Sequence, residues 1–205
     1  MGSPKPMLRL GSSSVVERVI AAARLLGAPV VLIAAPPSLS EASGPQHTRS
    51  LDDFLATLDL PIYRDLEPDR GPLGGLHAAF EQTGSAQILL LACDLPFVTT
   101  PFLRFLLSHG PLTCDALVPQ SAAGHEPLCA LYSISCRASL ARTLRGPNLS
   151  IRRFIDGLDA DVLRPSEYEH LDPEGLVFTN LNTPQEYARA RDLIAQRDGL
   201  TAPPD

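Results

Sequence analysis

A set of short apolar runs without polar alternation limits the fold more than any other feature of the sequence. The run AQILLLAC (residues 86–93) is the clearest, and PVVLIAA (residues 29–35) has the same character. A strand with one face in water alternates polar and apolar residues, so a continuously apolar strand indicates a sheet that is covered on both faces. Further candidate strands cover residues 61–63, 115–119, 127–132 and 176–180.

Helical patterns separate these runs and begin at recognisable capping residues. Ser14-Val-Val-Glu17 is a capping box, in which the serine accepts from a free backbone amide and the glutamate reaches back. Thr183-Pro-Gln-Glu186 is a second capping box, with proline at the first helical position. Ser50 is the predicted cap of another helix. Alternating strands and helices predict an α/β fold, a doubly wound, mostly parallel sheet with helices on both faces.

Composition limits the classes of protein to which this chain can belong. Its 205 residues are 44% hydrophobic, which predicts one domain over residues 1–198 and a disordered tail over 199–205. A formal net charge of -6 argues against nucleic-acid binding. No apolar run reaches the roughly 18 residues of a membrane span, so we expect a cytoplasmic protein without a membrane partner. The cysteines lack C-x-x-C spacing and are predicted to be reduced and buried; they are Cys93, Cys114, Cys129 and Cys136.

Polar residues near the ends of the predicted strands are candidates for a ligand site, because ligands bind beyond the carboxyl ends of such strands. Asp94 directly follows the 86–93 run, where a carboxylate can bind Mg²⁺ together with substrate phosphates; a turn or helix cap is the alternative. The glycine-rich segment 71–76 leads into a helix whose free amides can receive an anion or a base edge, although Gly-Pro is also common in turns. Asp65 and Asp69, just ahead of it, can accept hydrogen bonds from a nucleoside or can be surface carboxylates.

Three more segments carry candidate binding groups. Asn180 and Asn182 in FTNLNTP are spaced to point the same way, and turn formation is the alternative role. Arg152 and Arg153 in SIRRFI lie near a helix start, where a guanidinium can bind phosphate bidentately, or they form a solvated charge pair. Lys5 is the only lysine of the chain and lies in the glycine- and proline-flanked opening MGSPKPML, where chance alone also explains a single lysine.

Taken together and in this order, the segments resemble the molybdenum cofactor guanylyltransferase family, the MobA-like branch of the nucleotidyltransferase superfamily. The resemblance runs along nearly the whole chain through MGSPKPML, RDLEPDRGPLGGL, LLLACDLPFV, EPLCALY, SIRRFI and FTNLNTPQE. It implies a Rossmann-like nucleotidyltransferase fold and transfer of GMP from GTP to the phosphate of molybdopterin, with release of pyrophosphate. It also implies Mg²⁺ as cofactor and molybdoenzyme-maturation proteins as further partners.

The same resemblance implies roles for individual residues. Lys5 matches the family's phosphate-binding lysine, Asp94 its metal-binding aspartate, and Asp65 a nucleotide-binding aspartate for which Asp69 competes. Lys5 and Asp94 are the implied catalytic residues. The implied GTP-binding residues are Lys5, Asp65, Gly71, Gly74, Gly75 and Asp94. The residues implied on the molybdopterin side are Arg152, Arg153, Asn180 and Asn182.

The sequence departs from the family pattern at two places. The family begins with a strand and an L-A-G-G-x-S-x-R loop, which do not precede the Met-Gly of this chain. We therefore expect a longer natural chain whose first strand precedes Met1, and weak nucleotide binding without the loop amides that cradle a triphosphate. Ala34 and Ala35 stand where the family often carries asparagine, which leaves a cytidylyl- or sugar-phosphate nucleotidyltransferase as an alternative. A non-catalytic molybdopterin-binding partner is the alternative from a different class.

Overall fold

The computed structural model describes residues 5–35 and 51–201, so the predicted cap Ser50 lies outside the described residues. The strands are β1 (Arg9–Leu10), β2 (Ser13–Ser14), β3 (Leu32–Ala34), β4 (Ile62–Arg64), β5 (Gln87–Leu91), β6 (Ala116–Ser121), β7 (Gly124–His125), β8 (Cys129–Ser133) and β9 (Ala160–Leu163). The α-helices are α1 (Val15–Arg24), α2 (Leu51–Ala56), α3 (Gly71–Thr83), α4 (Thr100–Leu107), α5 (Arg137–Arg145), α6 (Ile151–Asp156), α7 (Pro165–Tyr168) and α8 (Pro184–Thr201).

The main sheet has the strand order β5-β8-β6, with β9 and β7 also paired to β6. Both β5 and β6 run antiparallel to β8, while β9 runs parallel to β6. β5, β6 and β9 therefore share one direction, and β8 runs against them. β3 and β4 form a separate parallel pair. The predicted α/β fold with a mostly parallel sheet is confirmed, and the reversed β8 is a feature that the apolar pattern alone does not predict.

Helices cover both faces of the main sheet, as the apolar strands predict. Leu117 of β6 is buried in the same cluster as Phe102 of α4. Its neighbour Val118 points to the opposite face and is buried with Tyr132 of β8 and Leu140 of α5. Successive residues of one strand thus belong to two different hydrophobic clusters, one on each face, which is the burial expected of a doubly wound sheet.

Several predicted elements need correction. Residues 176–180 do not form a strand; the carboxylate of Asp172 accepts from the backbone N–H groups of Leu176 and Val177, which holds this segment in a turn. Strand β9 has no counterpart among the predicted strands, because an exposed aspartate interrupts its apolar run. Helix α8 continues through Thr201, so residues 199–201 of the predicted disordered tail are helical.

The strands β3 and β5 are half-buried rather than buried throughout. Within the described part of the chain, β3 pairs only with β4, and β5 pairs only with β8. Each of these apolar strands therefore has one edge that no described strand covers. The extent of burial depends on which strands lie alongside, and the composition of a strand does not reveal that.

The predicted capping boxes are present. Glu17 N–H donates to Ser14 Oγ at 3.3 Å, and Ser14 N–H donates to Glu17 Oε2 at 2.6 Å. The hydrogen bond that the Ser14 N–H donates to the Glu17 carboxylate, together with one from the Ser14 side chain, lowers the pKa of the Glu17 carboxyl below its usual value. The box therefore holds an ionised glutamate at the start of α1, where the helix dipole also favours negative charge.

The four cysteines are free thiols, as predicted, but they are not all buried. Cys114, Cys129 and Cys136 are buried, whereas Cys93 is exposed in the turn that follows β5. Burial raises the pKa of Cys136 to about 12, which makes its thiolate scarce at neutral pH. The helices of the described residues also include none with the length and apolarity that crossing a membrane requires.

Candidate active site

A cavity of about 240 Å³ lies where the end of β5, the β6–β7 hairpin, the start of α6 and the segment before α8 meet. Its lining residues are Asp94, Leu95, His125, Glu126, Pro127, Leu128, Ile151, Arg152, Asn180 and Asn182. Four residues that were selected from the sequence as candidate binding groups therefore line the same cavity: Asp94, Arg152, Asn180 and Asn182.

The single lysine joins two of these groups. Lys5 Nζ donates to Asn182 Oδ1 at 2.5 Å and lies 3.8 Å from Asp94 Oδ2. The Lys5 side chain is 40% exposed and that of Asp94 is 22% exposed, so an incoming ligand can reach both. We name these three residues, Lys5, Asp94 and Asn182, the lysine cluster.

Each member of the lysine cluster is held by local structure. Lys5 begins a short 3-10 helix, Lys5–Met7, in which Leu8 N–H donates to the carbonyl of Lys5. Asp94 lies in the turn between β5 and the start of α4. Asn182 immediately precedes the capping box of α8, where its N–H donates to Glu186 Oε2 at 2.7 Å.

The opposite end of the cavity is built from the β6–β7 hairpin and α6. Ser121 Oγ donates to Glu126 Oε1 at 2.5 Å, and Glu126 N–H donates to the carbonyl of Pro119 at 2.8 Å. Gly124 has a φ of +108° in this hairpin, and Arg152 Nη1 lies 3.8 Å from where a Cβ at Gly124 would be. Burial raises the pKa of Glu126, whereas the Ser121 hydrogen bond and the charge of Arg152 act to lower it.

A second group of predicted residues surrounds Asp65, at the end of β4. Its N–H donates to the carbonyl of Ala34 at 3.0 Å. One carboxylate oxygen, Oδ1, is buried and accepts no hydrogen bond from any described residue. That oxygen lies 3.8 Å from where a Cβ at Gly75 would be. Burial raises the pKa of the Asp65 carboxyl. A buried acceptor without a partner is unfavourable, and a ligand that brings an N–H donor to Asp65 would satisfy it.

Gly74 has a structural reason to be glycine. A Cβ at this position would lie 2.7 Å from Cβ of Arg70 and 3.7 Å from the carboxyl of Asp65. The first turn of α3 can therefore come this close to its preceding residue and to Asp65 only without a side chain at Gly74. The predicted role of Gly74 and Gly75 in GTP binding stays a prediction.

Other predicted residues lie away from these groups. Asp69 is exposed, with a φ of +58°, so Asp65 is the better placed of the two aspartates. Gly71 is exposed and has open space around its Cα, with a φ of +55°. Arg153 lies near the start of α6, as predicted, where its N–H donates to Ser150 Oγ, but its side chain is exposed and does not line the cavity.

His125 and Glu126 are not among the residues selected from the sequence, yet both line the cavity. The sequence signal in this segment is Gly124, because a glycine after an apolar strand is typical of a hairpin turn. Such a turn does not predict that His125 and Glu126 face a cavity. The glycine alone also does not reveal that β6 and β7 pair as a hairpin, and this pairing is what places His125 and Glu126 beside α6.

The donor set around Asp94 suits a metal ion that shares its ligands with a substrate. No cluster of three or more histidine, cysteine or acidic side chains that could hold a metal exists among the described residues. Asp94 is one carboxylate beside the amides of Asn180 and Asn182. This set is too small for an all-protein calcium cage, but Mg²⁺ is commonly bound by one or two carboxylates, waters and substrate phosphates.

An α/β sheet whose polar side chains gather beyond the strand ends has the architecture of nucleotide-binding proteins. The sequence match is more specific than this architecture. The chain belongs to the MobA-like NTP transferase domain family, whose model matches residues 1–162. It is therefore a nucleotidyltransferase domain.

Individual relatives agree with this family. A probable molybdenum cofactor guanylyltransferase of Pelotomaculum thermopropionicum is 27% identical over 191 residues, which are 93% of this chain and 85% of the relative. The solved structure of molybdopterin-guanine dinucleotide biosynthesis protein A from Archaeoglobus fulgidus has a TM-score of 0.78 at 23% identity, and the match covers 95% of this chain and 92% of that chain. Rv0371c from Mycobacterium tuberculosis, solved in complex with manganese, has a TM-score of 0.62 at 21% identity and is covered to 93%, as is this chain.

Proposed function

We propose that this chain transfers GMP from GTP to the phosphate of molybdopterin and releases pyrophosphate, using Mg²⁺. The observation that carries the proposal is the lysine cluster, in which one ammonium lies against a carboxylate and an amide at the cavity. The family and the names of the similar proteins support the choice of reaction and substrates.

The reaction joins an oxygen of the molybdopterin phosphate to the α-phosphorus of GTP. The bond between that phosphorus and the oxygen bridging to the β-phosphate breaks, and pyrophosphate leaves with the electron pair. Because the attacking oxygen is already anionic, no general base is needed. The barrier is instead the repulsion between an anion and a triphosphate.

The residues of the chain act on that repulsion. Lys5 offers a compact, mobile positive charge that reaches between phosphate oxygens, which the planar fork of arginine does less well. Asp94 and the neighbouring amides would hold the metal ion, which supplies further positive charge to the phosphates when bound. Arg152 at the other end of the cavity would bind the acceptor phosphate. Fixed charges that hold both substrates in line can account for the catalysis without a covalent intermediate.

Asp65 and the glycines of α3 would receive the guanine base. Guanine presents an N–H and an amino group side by side, and the unpartnered Asp65 Oδ1 is an acceptor for such donors. Cytosine offers only its amino group as a donor on the corresponding edge. A carboxylate at the place that receives the nucleobase therefore favours GTP over CTP.

The test is a pyrophosphate-release assay on the natural gene product with GTP or CTP, Mg²⁺ and molybdopterin. We expect release that needs GTP, metal and molybdopterin together, accompanied by guanylylated pterin in the mass spectrum. Faster turnover with CTP would contradict the base assignment. Absence of turnover with every nucleotide would instead favour a non-catalytic molybdopterin-binding role.

A further inference from the structure

Helix α8 begins beside the lysine cluster, and its first turn makes one contact more than a capping box requires. In the box, Thr183 N–H donates to Glu186 Oε2 at 2.8 Å and Glu186 N–H donates to Thr183 Oγ1 at 3.1 Å. The same carboxylate oxygen also accepts from Asn182 N–H at 2.7 Å. The extra bond fixes the backbone of the residue whose side chain holds Lys5.

The next residue of α8 reaches the segment that carries the lysine. Tyr187 Oη donates to the carbonyl of Arg9 at 2.6 Å, so α8 is tied to β1 shortly after the 3-10 helix Lys5–Met7. Glu186 and Tyr187 thus hold the two chain segments that meet in the bond between Lys5 and Asn182.

A small hydrophobic cluster lies beneath the same three segments. Leu10 belongs to the segment of the lysine, Phe97 to the segment of the aspartate, and Leu181 directly precedes the asparagine. All three are buried against Ile194 and Ala190 of α8. Close packing of this cluster leaves little freedom for the three segments to shift relative to one another.

We infer that Glu186 and Tyr187 are positioning residues, which set the place of Lys5 against Asn182 and Asp94 from the first turn of α8. For its activity readout this inference rests on the proposed function. The stability of the helix start does not require the bond to Asn182 N–H, because the two bonds between Thr183 and Glu186 already complete the capping box. The added bonds instead keep the ammonium where a phosphate oxygen must be met.

The chain offers a matched control for the experiment. Glu186→Ala removes the bonds to both backbone amides, whereas Thr183→Ala removes the other half of the same box and leaves those bonds in place. Each variant removes one half of the capping box, so each is expected to weaken the helix start. Tyr187→Phe removes only the hydroxyl and keeps the ring.

The lone lysine provides a direct readout that does not depend on activity. Selective isotope labelling of lysine gives one set of NMR signals, from Lys5. In the wild type and in Thr183→Ala we expect two distinct Hε resonances from an immobilised methylene. In Glu186→Ala and Tyr187→Phe we expect them to merge toward the averaged signal of a free lysine. Unchanged signals in both of these variants would overturn the inference.

The kinetic readout uses the natural gene product with GTP, Mg²⁺ and molybdopterin. A misplacement of about 1 Å can cost up to about a hundredfold in rate, so we expect kcat to fall about tenfold in Glu186→Ala with the KM for GTP nearly unchanged. Glu186→Gln should restore part of the rate. In a Lys5→Met background the same change should have no further effect on kcat. Equal losses in Glu186→Ala and Thr183→Ala would reduce Glu186 to a helix cap, whereas an inactive wild type would count against the proposed function and leave the NMR result standing.

Discussion

Replacing Asp65 by asparagine should change stability and GTP affinity in opposite directions. The buried Oδ1 has no partner among the described residues, and burial raises the pKa of the carboxyl, so its ionised form is disfavoured in the folded protein. A buried polar group without a partner costs about 1–3 kcal/mol, and a charged one costs more. Asparagine keeps an unpartnered polar atom at this place and removes only the extra cost of the charge, so for the half-buried Asp65 we expect Asp65→Asn to raise the free energy of unfolding by about 1 kcal/mol.

The affinity for GTP should fall in the same variant. A hydrogen bond to a charged group contributes about 1.5–3 kcal/mol, which corresponds to a loss of roughly tenfold to a hundredfold in the dissociation constant. Thermal unfolding should show a rise in Tm of about 2–4 °C without nucleotide. Titration calorimetry with GTP and Mg²⁺ on the natural gene product should show the weaker binding.

The pH dependence follows from the direction of the shift. Because the pKa of Asp65 is raised in the folded state, its penalty is present above that pKa and is lost as the pH falls through it. The stability difference between wild type and Asp65→Asn should therefore shrink on acidification. Asp69→Asn, a change on the exposed turn nearby, is the control and should alter neither property. An Asp65→Asn variant that is less stable than wild type and binds GTP normally would show that Asp65 neither carries a buried charge at a cost nor contacts the nucleotide.

Three further outcomes are expected. Ser14→Ala removes the acceptor of the α1 capping box and should lower the free energy of unfolding by about 0.5–2 kcal/mol in a denaturant titration, whereas loss of less than a few tenths would show that the box is not needed. A thiol reagent added to the native protein should modify Cys93 alone, because the other three cysteines are buried. Mg²⁺ with GTP should slow that reaction, because Cys93 directly precedes Asp94. Rapid labelling of all four thiols would contradict the burial of the other three. Phe102→Ala should cost about 3–5 kcal/mol, because the fully buried ring makes edge contacts with Tyr168 and Phe178, and a cost below 1 kcal/mol would contradict the close packing.

The sequence predicted the fold class because apolar strands and capped helices are local features. Ser14 and Thr183 predicted where α1 and α8 begin, since the partners of each cap lie within the same turn. Direction and pairing are not local. The apolar run of β8 carries no sign that it lies reversed between β5 and β6.

The incorrect strand at residues 176–180 has a physical cause. Val177 is buried and Phe178 packs against the core, so the segment is apolar for the same reason that a strand is. Its backbone amides are satisfied by the carboxylate of Asp172 rather than by a neighbouring strand. Apolar composition reports burial, and only the hydrogen-bond partner distinguishes a strand from an anchored turn.

The candidate site was predicted in its parts and not in its contacts. Asp94 could be selected because it directly follows an apolar strand. The bond between Lys5 and Asn182 spans 177 positions of sequence, and the resemblance to a family had assigned Lys5 to GTP and Asn182 to the molybdopterin side. Glu126 could not be selected, because its role depends on a hairpin that brings it to the start of α6.

The role of Asp94 is tested by comparing Asp94→Asn with wild type in the transfer of GMP from GTP to molybdopterin. If the Asp94 carboxylate holds the metal ion and Lys5 together, removing the charge of Asp94 should lower kcat by about a hundredfold to a thousandfold. This is the range seen when a group that stabilises transition-state charge is removed. Asp192→Asn, on the exposed surface of α8, should retain wild-type turnover. A rate for Asp94→Asn within a few fold of wild type would show that the Asp94 carboxylate does not hold the metal ion for the transfer.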